Sequence, residues 1–228
     1  MNRITHIIHH AFTFASSYRL TPEHINQLIT VFNSPGGQAD AVLGGRTTVS
    51  TLDLQGIGHV LVKPYSRGGI IRYMIKNTYL RIGKPRCQIE YEQMQRAGDL
   101  GINVPEPVAY AHQGRIFYKA WLITRKVKDA KSLADLSHTD ADRTQRVLDE
   151  VTHQVSALVH HKIYHADLHP GNLLIDHDNH VYIIDFDKAR HYKGSKDKLR
   201  SRYLKRWKRA VIKHDLPEML FSVDLKTG

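Results

Sequence analysis

The sequence predicts a two-lobed α+β protein with a β-rich first half and a mainly helical second half. Candidate strands joined by glycine-rich links occupy the first half around one long helix, whereas the clearest helical periodicity lies in the second half. A chain of 228 residues is long enough for two small lobes, which we place at residues 1–125 and 126–228. With 41% hydrophobic residues, the chain can bury a substantial core.

The first predicted elements are a short helix and a β-hairpin. Thr21-Pro22-Glu23 opens the helix, because a capping hydroxyl precedes proline in the first turn, and Ser34-Pro35-Gly36-Gly37 ends it. Strands are predicted over residues 47–54 and 59–63. The link between them, Gln55-Gly56-Ile57-Gly58, is typical of a hairpin because glycine readily adopts turn conformations.

The first half continues with a longer helix and two short strands. Apolar residues recur at three- and four-residue steps over residues 86–100, which predicts the helix. The prolines of residues 104–107 interrupt the helical pattern. Strands follow at residues 116–118 and 121–124, and residues 125–127 are the expected exit from the first lobe.

The second half opens with a second long predicted helix. It begins at Thr139-Asp140-Ala141-Asp142, where acidic residues suit the first helical turn. Its apolar face combines a four-residue step with two flanking leucines: Val147, Val151, Val155, Val159, Leu148 and Leu158. Strands over residues 172–175 and 181–184 follow, joined by a turn at residues 177–179.

The chain is strongly basic, with a formal net charge of +11 and a pI near 9.7, which favours anionic partners. Basic side chains concentrate in the segment 188–213, which is predicted to be helical: Lys188, Arg190, Lys193, Lys196, Lys198, Arg200, Arg202, Lys205, Arg206, Lys208 and Arg209. Tyr203, Leu204 and Trp207 among them favour a helix at a membrane interface. The alternative is a solvated helix that covers the second lobe.

Cysteine content and hydropathy suggest a cellular location. The single cysteine, Cys87, excludes an intramolecular disulfide and agrees with a reducing cytoplasm. The first residues contain histidines where a signal peptide requires an apolar run, and no stretch approaches ~18 consecutive apolar residues. We therefore expect a cytoplasmic protein that does not span a membrane, with peripheral membrane contact left open.

Polar side chains surround two short apolar runs in residues 164–190, YHADLHPGNLLIDHDNHVYIIDFDKAR. Asp and Asn are costly to bury unpaired, and hard oxygen ligands of this kind suit Mg²⁺ bound together with a phosphate. Asn172 and Asp185 would supply such ligands from the two strands of a hairpin. Asp167, five residues before Asn172, would accept a hydrogen bond from an attacking hydroxyl.

The order His165-Ala166-Asp167, Asn172, then Asp185-Phe186-Asp187 resembles the catalytic and metal-binding loops of the protein-kinase-like superfamily. This resemblance implies a two-lobed kinase-like fold with a nucleotide-binding N-lobe and a catalytic C-lobe. Ala166 replaces the Arg of that family's pattern, Asp187 replaces its Gly, and no Ala-Pro-Glu triplet follows. Regulation by phosphorylation of an activation loop is therefore not expected.

A kinase also needs a lysine near the phosphates and a helix carboxylate to hold it. Lys63, which ends the apolar run Val60-Leu61-Val62, fits the first need, and Glu90 or Glu92 fits the second. The two acids lie about 200° apart around a helix, so only one can face the site. Backbone amides and hydroxyls just ahead of the first strand are expected to contact phosphate, at Gly44, Gly45, Thr47 and Thr48.

Four further stretches narrow the resemblance: Tyr65-Ser66-Arg67-Gly68-Gly69, Asn77-Thr78-Tyr79-Leu80, residues 101–107, and Asp185-Phe186-Asp187-Lys188. Together they are similar to the 3-deoxy-D-manno-octulosonic acid (Kdo) kinases of Gram-negative bacteria, within the lipopolysaccharide core kinase group, over about residues 44–209. Such enzymes use ATP and Mg²⁺ and phosphorylate a hydroxyl of Kdo attached to lipid A. The implied partners are this anionic glycolipid and, through the basic C-terminal segment, the cytoplasmic face of the bacterial inner membrane.

The resemblance also implies a role for each matching residue. Asp167 would be the catalytic base, and Lys63 would bind the α- and β-phosphates. Asn172 and Asp185 would carry the metal, while Asp187 would hold a second metal or brace the loop. Arg67 and Lys188 would contact the acceptor.

Several alternatives stay open at this point. The acceptor could be a heptose of the lipopolysaccharide core, or a protein as in the RIO kinases, because hydroxyl chemistry is common to all of them. His165 and His169 at helical spacing could bind zinc, although Pro170-Gly171 opposes a helix there. A non-catalytic basic module is the last alternative. Nucleic acid is not an expected partner, since no motif with aromatic stacking positions is present.

Overall fold

The computed structural model describes residues 4–33, 49–65, 79–80, 83–114 and 117–225. The chain divides into two compact units, and each is presented separately below. Unit 1 comprises Met1–Gln95 and Glu106–Lys126, and unit 2 comprises Arg96–Pro105 and Val127–Gly228. Residues 96–105, which the sequence analysis placed in the first lobe, therefore belong to unit 2.

Unit 1 is built on an antiparallel sheet. Its described strands are β1 (Thr5–His9), β2 (Phe12–Ser16), β3 (Ser50–Leu54), β4 (Gly58–Pro64), β5 (Tyr79–Leu80), β6 (Pro107–Gln113) and β7 (Phe117–Arg125). They follow the order β1-β2-β6-β7-β4-β3, and β5 also pairs with β7. The predicted hairpin is the pair β3–β4, and Gly58 in its link has φ +97°, a conformation that favours glycine.

One sequence expectation for this sheet was wrong, and a second one is confirmed. The strands predicted at residues 116–118 and 121–124 form one continuous strand, β7, in the part of the chain that is described. The prolines of residues 104–107 do interrupt helical structure, but Pro107 begins β6. Proline is tolerated at the first residue of a strand because its missing N–H interrupts the ladder least there.

Helix α1 (Pro22–Asn33) covers the hydrophobic core of unit 1. Its inward residues Ile25, Leu28 and Phe32 are all less than 10% exposed. The Phe32 ring stacks on Trp121 of β7 with a centroid distance of 4.2 Å. The predicted start of this helix is confirmed, while its predicted end at residues 34–37 lies outside the described residues.

Helix α2 (Arg86–Asp99) matches the predicted helix within one residue. The only cysteine of the sequence, Cys87, lies at its start and is fully buried. Burial raises the pKa of this thiol to about 12, because the thiolate would lose its hydration. Cys87 is therefore a neutral core residue at physiological pH.

Unit 2 contains three described α-helices: α3 (Leu133–Thr139), α4 (Ala141–His160) and α5 (Lys196–Lys213). Its short strands are β8 (Lys131–Ser132), β9 (Ile163–Tyr164), β10 (Leu173–Ile175), β11 (Val181–Ile183) and β12 (Arg190–His191). Strands β11, β10 and β8 form one antiparallel sheet, and β12 pairs with β9. A short 3₁₀ turn, Pro170–Asn172, leads into β10.

The predicted apolar face of α4 is confirmed. All six residues of that face are buried: Val147, Leu148, Val151, Val155, Leu158 and Val159. The side chain of Asp140 caps the helix by accepting a hydrogen bond from the Arg143 N–H at 2.9 Å. The Arg143 guanidinium then binds the β10–β11 turn, donating to Asn179 Oδ1 at 2.8 Å and to the Asp176 carbonyl.

Helix α5 packs its aromatic face inward. Tyr203 and Trp207 are 1% and 3% exposed, so the expectation that they face a membrane interface is wrong. A basic stripe lies on the exposed side of the helix, consisting of Lys198, Arg202, Lys205 and Arg209. Within the described ranges, no helix carries an 18-residue window apolar enough to cross a membrane.

Candidate active site

Unit 1 holds a buried carboxylate bound by a lysine and a tyrosine. Lys63 on the sheet strand β4 places its Nζ 3.1 Å from Glu90 Oε1 and 3.4 Å from Oε2, and Tyr65 donates its hydroxyl to Glu90 Oε2. The Glu90 side chain is 2% exposed, whereas that of Lys63 is 32% exposed. The buried acid therefore orients a lysine that solvent or a ligand can still reach.

The structure distinguishes the two acids that the sequence left as alternatives. Glu92 lies on another side of α2, where Lys84 donates to its two oxygens at 2.9 and 2.8 Å. Gln88 also donates to Glu92 at 2.9 Å. Glu90 is thus the partner of Lys63, and the role of the pair in nucleotide binding stays a prediction.

In unit 2, the loop after β9 is held by buried hydrogen bonds. The Tyr203 hydroxyl donates to the Ile163 carbonyl at 2.5 Å and accepts the His165 N–H at 2.7 Å. The His165 ring is fully buried against Phe186, edge to face with a centroid distance of 5.0 Å. Its Nε2–H donates to the Ile184 carbonyl at 2.9 Å. One residue therefore links the loop that carries Asp167 to the segment that carries Asp185.

Hydrogen bonds to backbone carbonyls connect the segments that carry three of the predicted site residues. The Asn172 amide donates its Nδ2 to the Asp167 carbonyl at 2.7 Å. The Ile184 N–H donates to the Asn172 carbonyl at 3.0 Å. Since Asp185 follows Ile184, this bond holds the backbone of Asp185 near that of Asn172. Asp185 has φ +66°, a conformation that Asp and Asn tolerate better than most residues.

The oxygen atoms of this group match the chemistry of a hard cation. Because Asn172 uses its amide nitrogen towards Asp167, its Oδ1 keeps acceptor capacity. Asp185 adds a carboxylate from the segment whose Ile184 N–H is bonded to Asn172, and Mg²⁺ prefers such oxygen ligands together with phosphate and water. The residues present therefore fit a magnesium site. Asp187 is partly exposed and lies two residues beyond Asp185.

The zinc alternative finds no support in the described residues. His165 is buried and uses Nε2 towards the Ile184 carbonyl, and burial lowers its pKa to about 4. His169 accepts the Gly171 N–H at its Nδ1, at 3.1 Å, and so caps the 3₁₀ turn. Both histidines hold the loop in shape.

Asp167 is the exposed acid of the loop. Its side chain is 64% exposed, and a histidine and an arginine face its two oxygens. His169 Nε2 lies 3.8 Å from Oδ2, and Arg206 Nη1 of helix α5 lies 3.7 Å from Oδ1. Arg206 was predicted only as one of many basic residues, since no local spacing connects it with Asp167.

The remaining predicted residues are placed as follows. Gly44, Gly45, Thr47, Thr48 and Arg67 lie outside the described residues. Lys188 is exposed in unit 2, two residues before β12. Asp176, which was not singled out from the sequence, organises the β10–β11 turn by accepting the Asp178 and His180 N–H groups at 3.0 and 2.9 Å.

Comparison with known proteins agrees with this geometry. Residues 37–221 match the profile of the lipopolysaccharide kinase (Kdo/WaaP) family. The chain is 31% identical over 182 residues to a 3-deoxy-D-manno-octulosonic acid kinase of Vibrio cholerae, covering 77% of this chain and 76% of that protein. A protein of the same name from Photobacterium profundum is 32% identical, and the match covers 67% of this chain and 64% of that protein. Another, from Xylella fastidiosa, is 28% identical, and the match covers 78% of this chain and 72% of that protein.

Proposed function

The chain belongs to the lipopolysaccharide kinase (Kdo/WaaP) family, and on that premise we propose that it transfers phosphate from ATP to a hydroxyl of Kdo in the lipid A–Kdo acceptor. The observation that carries the proposal is the hydrogen-bonded group of Asp167, Asn172 and the segment Ile184-Asp185. It joins an accessible acid to two oxygen ligands within one short stretch of unit 2. Similarity to proteins named as Kdo kinases then favours Kdo over a heptose or a protein as acceptor.

Asp167 positions the acceptor. Its exposed carboxylate accepts a hydrogen bond from the sugar hydroxyl, whose oxygen forms the new bond to the γ-phosphorus as the bond to the ADP oxygen breaks. The hydroxyl proton passes to Asp167. Positioning contributes more than basicity because the transition state of phosphoryl transfer is loose.

Lys63 and Glu90 serve the nucleotide. Glu90 fixes the ammonium group of Lys63, which contacts the α- and β-phosphates of ATP. Asn172 and Asp185 hold Mg²⁺, and Asp187 adds a further ligand or braces the segment. When bound, Mg²⁺ neutralises the charge of the phosphate oxygens during transfer.

A second part of the proposal concerns the membrane. Lipid A–Kdo carries negative charge, and the cytoplasmic leaflet of the inner membrane is anionic. The basic stripe of α5 presents Lys198, Arg202, Lys205 and Arg209 on one exposed side of the helix. We place the protein at the cytoplasmic face of that membrane through electrostatic contact, since the aromatic face of α5 is buried.

The test of the catalytic proposal is ATP-dependent phosphorylation of purified Kdo–lipid A, with and without Mg²⁺. Asp167→Ala should remove most of the turnover while sparing ATP binding, and Asp185→Asn should lower the rate and weaken the response to Mg²⁺. The second change suits its purpose because Asn accepts the positive φ of position 185. Near-normal turnover of Asp167→Ala would refute the catalytic assignment. Absence of transfer by the unmodified protein, despite ATP binding, would redirect the search to heptose and protein acceptors.

A further inference from the structure

The geometry points to Arg206 as the residue that recognises the carboxylate of the acceptor sugar. This inference rests on the proposed function, because it assigns a ligand to the acceptor side of the same site. The contact determines specificity. The guanidinium of Arg206 binds the carboxylate while Asp167 accepts a hydrogen bond from a hydroxyl of the same sugar ring.

Arg206 lies beside Asp167, but its contacts use little of its hydrogen-bonding capacity. Its Nη1 is 3.7 Å from Asp167 Oδ1, and its Nη2 is 3.5 Å from the hydroxyl of Tyr164. Both distances lie at or beyond the outer limit of a hydrogen bond. A guanidinium has five N–H donors, so these contacts leave most of its capacity for a further partner.

Other arginines of the protein show what a structural pair looks like. Arg200 donates to Asp224 at 2.6 Å and also to the Leu225 carbonyl. Arg125 donates to Glu106 at 2.8 Å and to Tyr18 at 2.9 Å. The contacts of Arg206 with Asp167 and Tyr164, at 3.7 and 3.5 Å, are longer than these. Its side chain is nevertheless 33% exposed and therefore accessible to a ligand.

The backbone of Arg206 is fixed relative to Asp167. Its neighbour Trp207 is buried and donates its Nε1–H to the Leu220 carbonyl at 2.8 Å. Tyr203, one turn earlier on α5, bonds both Ile163 and His165 in the segment that leads to Asp167. A binding group on a helix anchored in this way is preorganised, which lowers the entropic cost of holding a ligand.

The surroundings of Arg206 are cationic. The Arg190 guanidinium lies over the Tyr164 ring, 4.6 Å from its centroid, and Tyr164 in turn contacts Arg206. Arginine is the side chain best suited to a bidentate contact with a carboxylate. An anionic ligand next to Asp167 is therefore favoured over a neutral one.

The acceptor carries the two groups that Arg206 and Asp167 would bind. Kdo is a sugar acid, so its carboxylate and its hydroxyls belong to one small ring. Arg206 Nη1 lies 3.7 Å from Asp167 Oδ1. When Asp167 accepts a hydrogen bond from a hydroxyl of the sugar, the carboxylate of the same ring therefore lies within reach of the Arg206 guanidinium. The competing ligand for Arg206 is the transferring phosphate of ATP, and the experiment below separates the two.

The experiment is a double-mutant cycle between the protein and the acceptor. We would measure kcat/KM for Kdo–lipid A and for its Kdo methyl ester, with the unmodified protein and with Arg206→Gln. The ester should lower kcat/KM of the unmodified protein by about 10- to 100-fold, the usual effect of losing one charged hydrogen-bonded contact. Arg206→Gln should cause a similar loss with the acid and little further loss with the ester. The KM for ATP should change by less than about twofold.

Matched variants keep the result interpretable. Arg146→Gln makes the same chemical change at an exposed position of α4 and should leave both acceptors unaffected. Arg206→Lys keeps the charge but loses the planar fork, so it should fall between the unmodified protein and Arg206→Gln. If Arg206→Gln does not fold, the cycle is completed with Arg206→Lys.

Three outcomes would overturn the inference. Equal losses with acid and ester would show that Arg206 does not recognise the carboxylate. A raised KM for ATP would assign Arg206 to the nucleotide phosphate. Absence of any transfer to Kdo by the unmodified protein would overturn the proposed function and the inference together. A large loss of kcat/KM from Arg206→Gln with the acid, and little further loss with the ester, would support the inference.

Discussion

The two acids of α2 show at the scale of single residues how position around a helix decides a role. Glu90 and Glu92 are two residues apart, and both were compatible with the sequence pattern. The structure buries Glu90 against Lys63 and Tyr65, whereas Glu92 pairs with Lys84 at the surface. The sequence could not separate them because the choice depends on which side of α2 meets the sheet.

Replacing these two acids gives a matched test. Glu90→Gln removes the charge that orients Lys63, so we expect kcat/KM for phosphate transfer to fall by about 100-fold. Glu92→Gln should change it by less than about threefold, because surface ion pairs contribute little. Steady-state kinetics with ATP as the varied substrate would check both. Equal effects of the two changes would contradict the assignment.

His165 should make stability depend on pH. Burial lowers its pKa in the folded protein to about 4, while in the unfolded chain it returns to about 6.5. Between these values the unfolded chain binds more protons, so the free energy of unfolding falls as the pH drops from 6.5 to 4, by roughly 3 kcal/mol in total. Urea unfolding at a series of pH values would measure the slope. His165→Gln should flatten it, and an unchanged slope in that variant would refute the prediction.

At the scale of elements, α5 connects the basic C-terminal region with the catalytic loop. Its helical character was predictable from the sequence, but its orientation was not. The pattern contains both a basic stripe and interleaved aromatic residues, and only packing shows that Tyr203 and Trp207 face the interior. The same packing brings Arg206 to Asp167, although 39 residues separate them in the chain.

Tyr203 should therefore stabilise more than its own helix. Tyr203→Phe keeps the ring but leaves the buried His165 N–H and Ile163 carbonyl without their partner hydroxyl. We expect the free energy of unfolding to fall by about 1–3 kcal/mol, the cost of such unpaired groups. Urea denaturation would measure the loss, with Tyr192→Phe as a control, since Tyr192 is only partly buried. Equal stability of the two variants would show that the hydroxyl bonds contribute nothing.

Other elements were missed for identifiable reasons. Strands β1 and β2 contain too few residues to show a clear alternation, and histidines lie within or beside β1. Strand β6 begins at the second of two prolines, Pro105 and Pro107, which suggested an irregular segment. Helix α3 has seven residues, about two turns, which is too short for a periodic signal. The helices that were predicted, α1, α2, α4 and α5, are longer and carry caps or regular apolar spacing.

For the whole molecule, the catalytic motif was predictable because its residues lie within one short stretch of sequence. Asp167, Asn172 and Asp185 span 19 residues, and local backbone bonds join them. The position of Arg206 beside Asp167 was not predictable, since α5 brings it there through tertiary packing. Sequence motifs thus identify the reaction more readily than the substrate contacts.

Membrane contact through the α5 stripe should be electrostatic. Vesicles containing anionic lipid should bind the protein at low salt and release it as NaCl increases. Neutralising Lys205 and Arg209 together should weaken partitioning about 30-fold, at about 1 kcal/mol for each basic residue near the surface. Sedimentation with vesicles would measure this, and Arg146→Gln serves as the control. Binding that persists at high salt would instead indicate insertion of apolar side chains.

The burial of Cys87 has a practical consequence for such experiments. Since its thiol stays protonated and enclosed in the core of unit 1, thiol-specific dyes should leave the native protein unmodified. A cysteine introduced at the exposed Ser201 of α5 would then be the single reactive position among the described residues. A fluorophore attached there would report the approach of α5 to a lipid surface without any change to the protein's own cysteine.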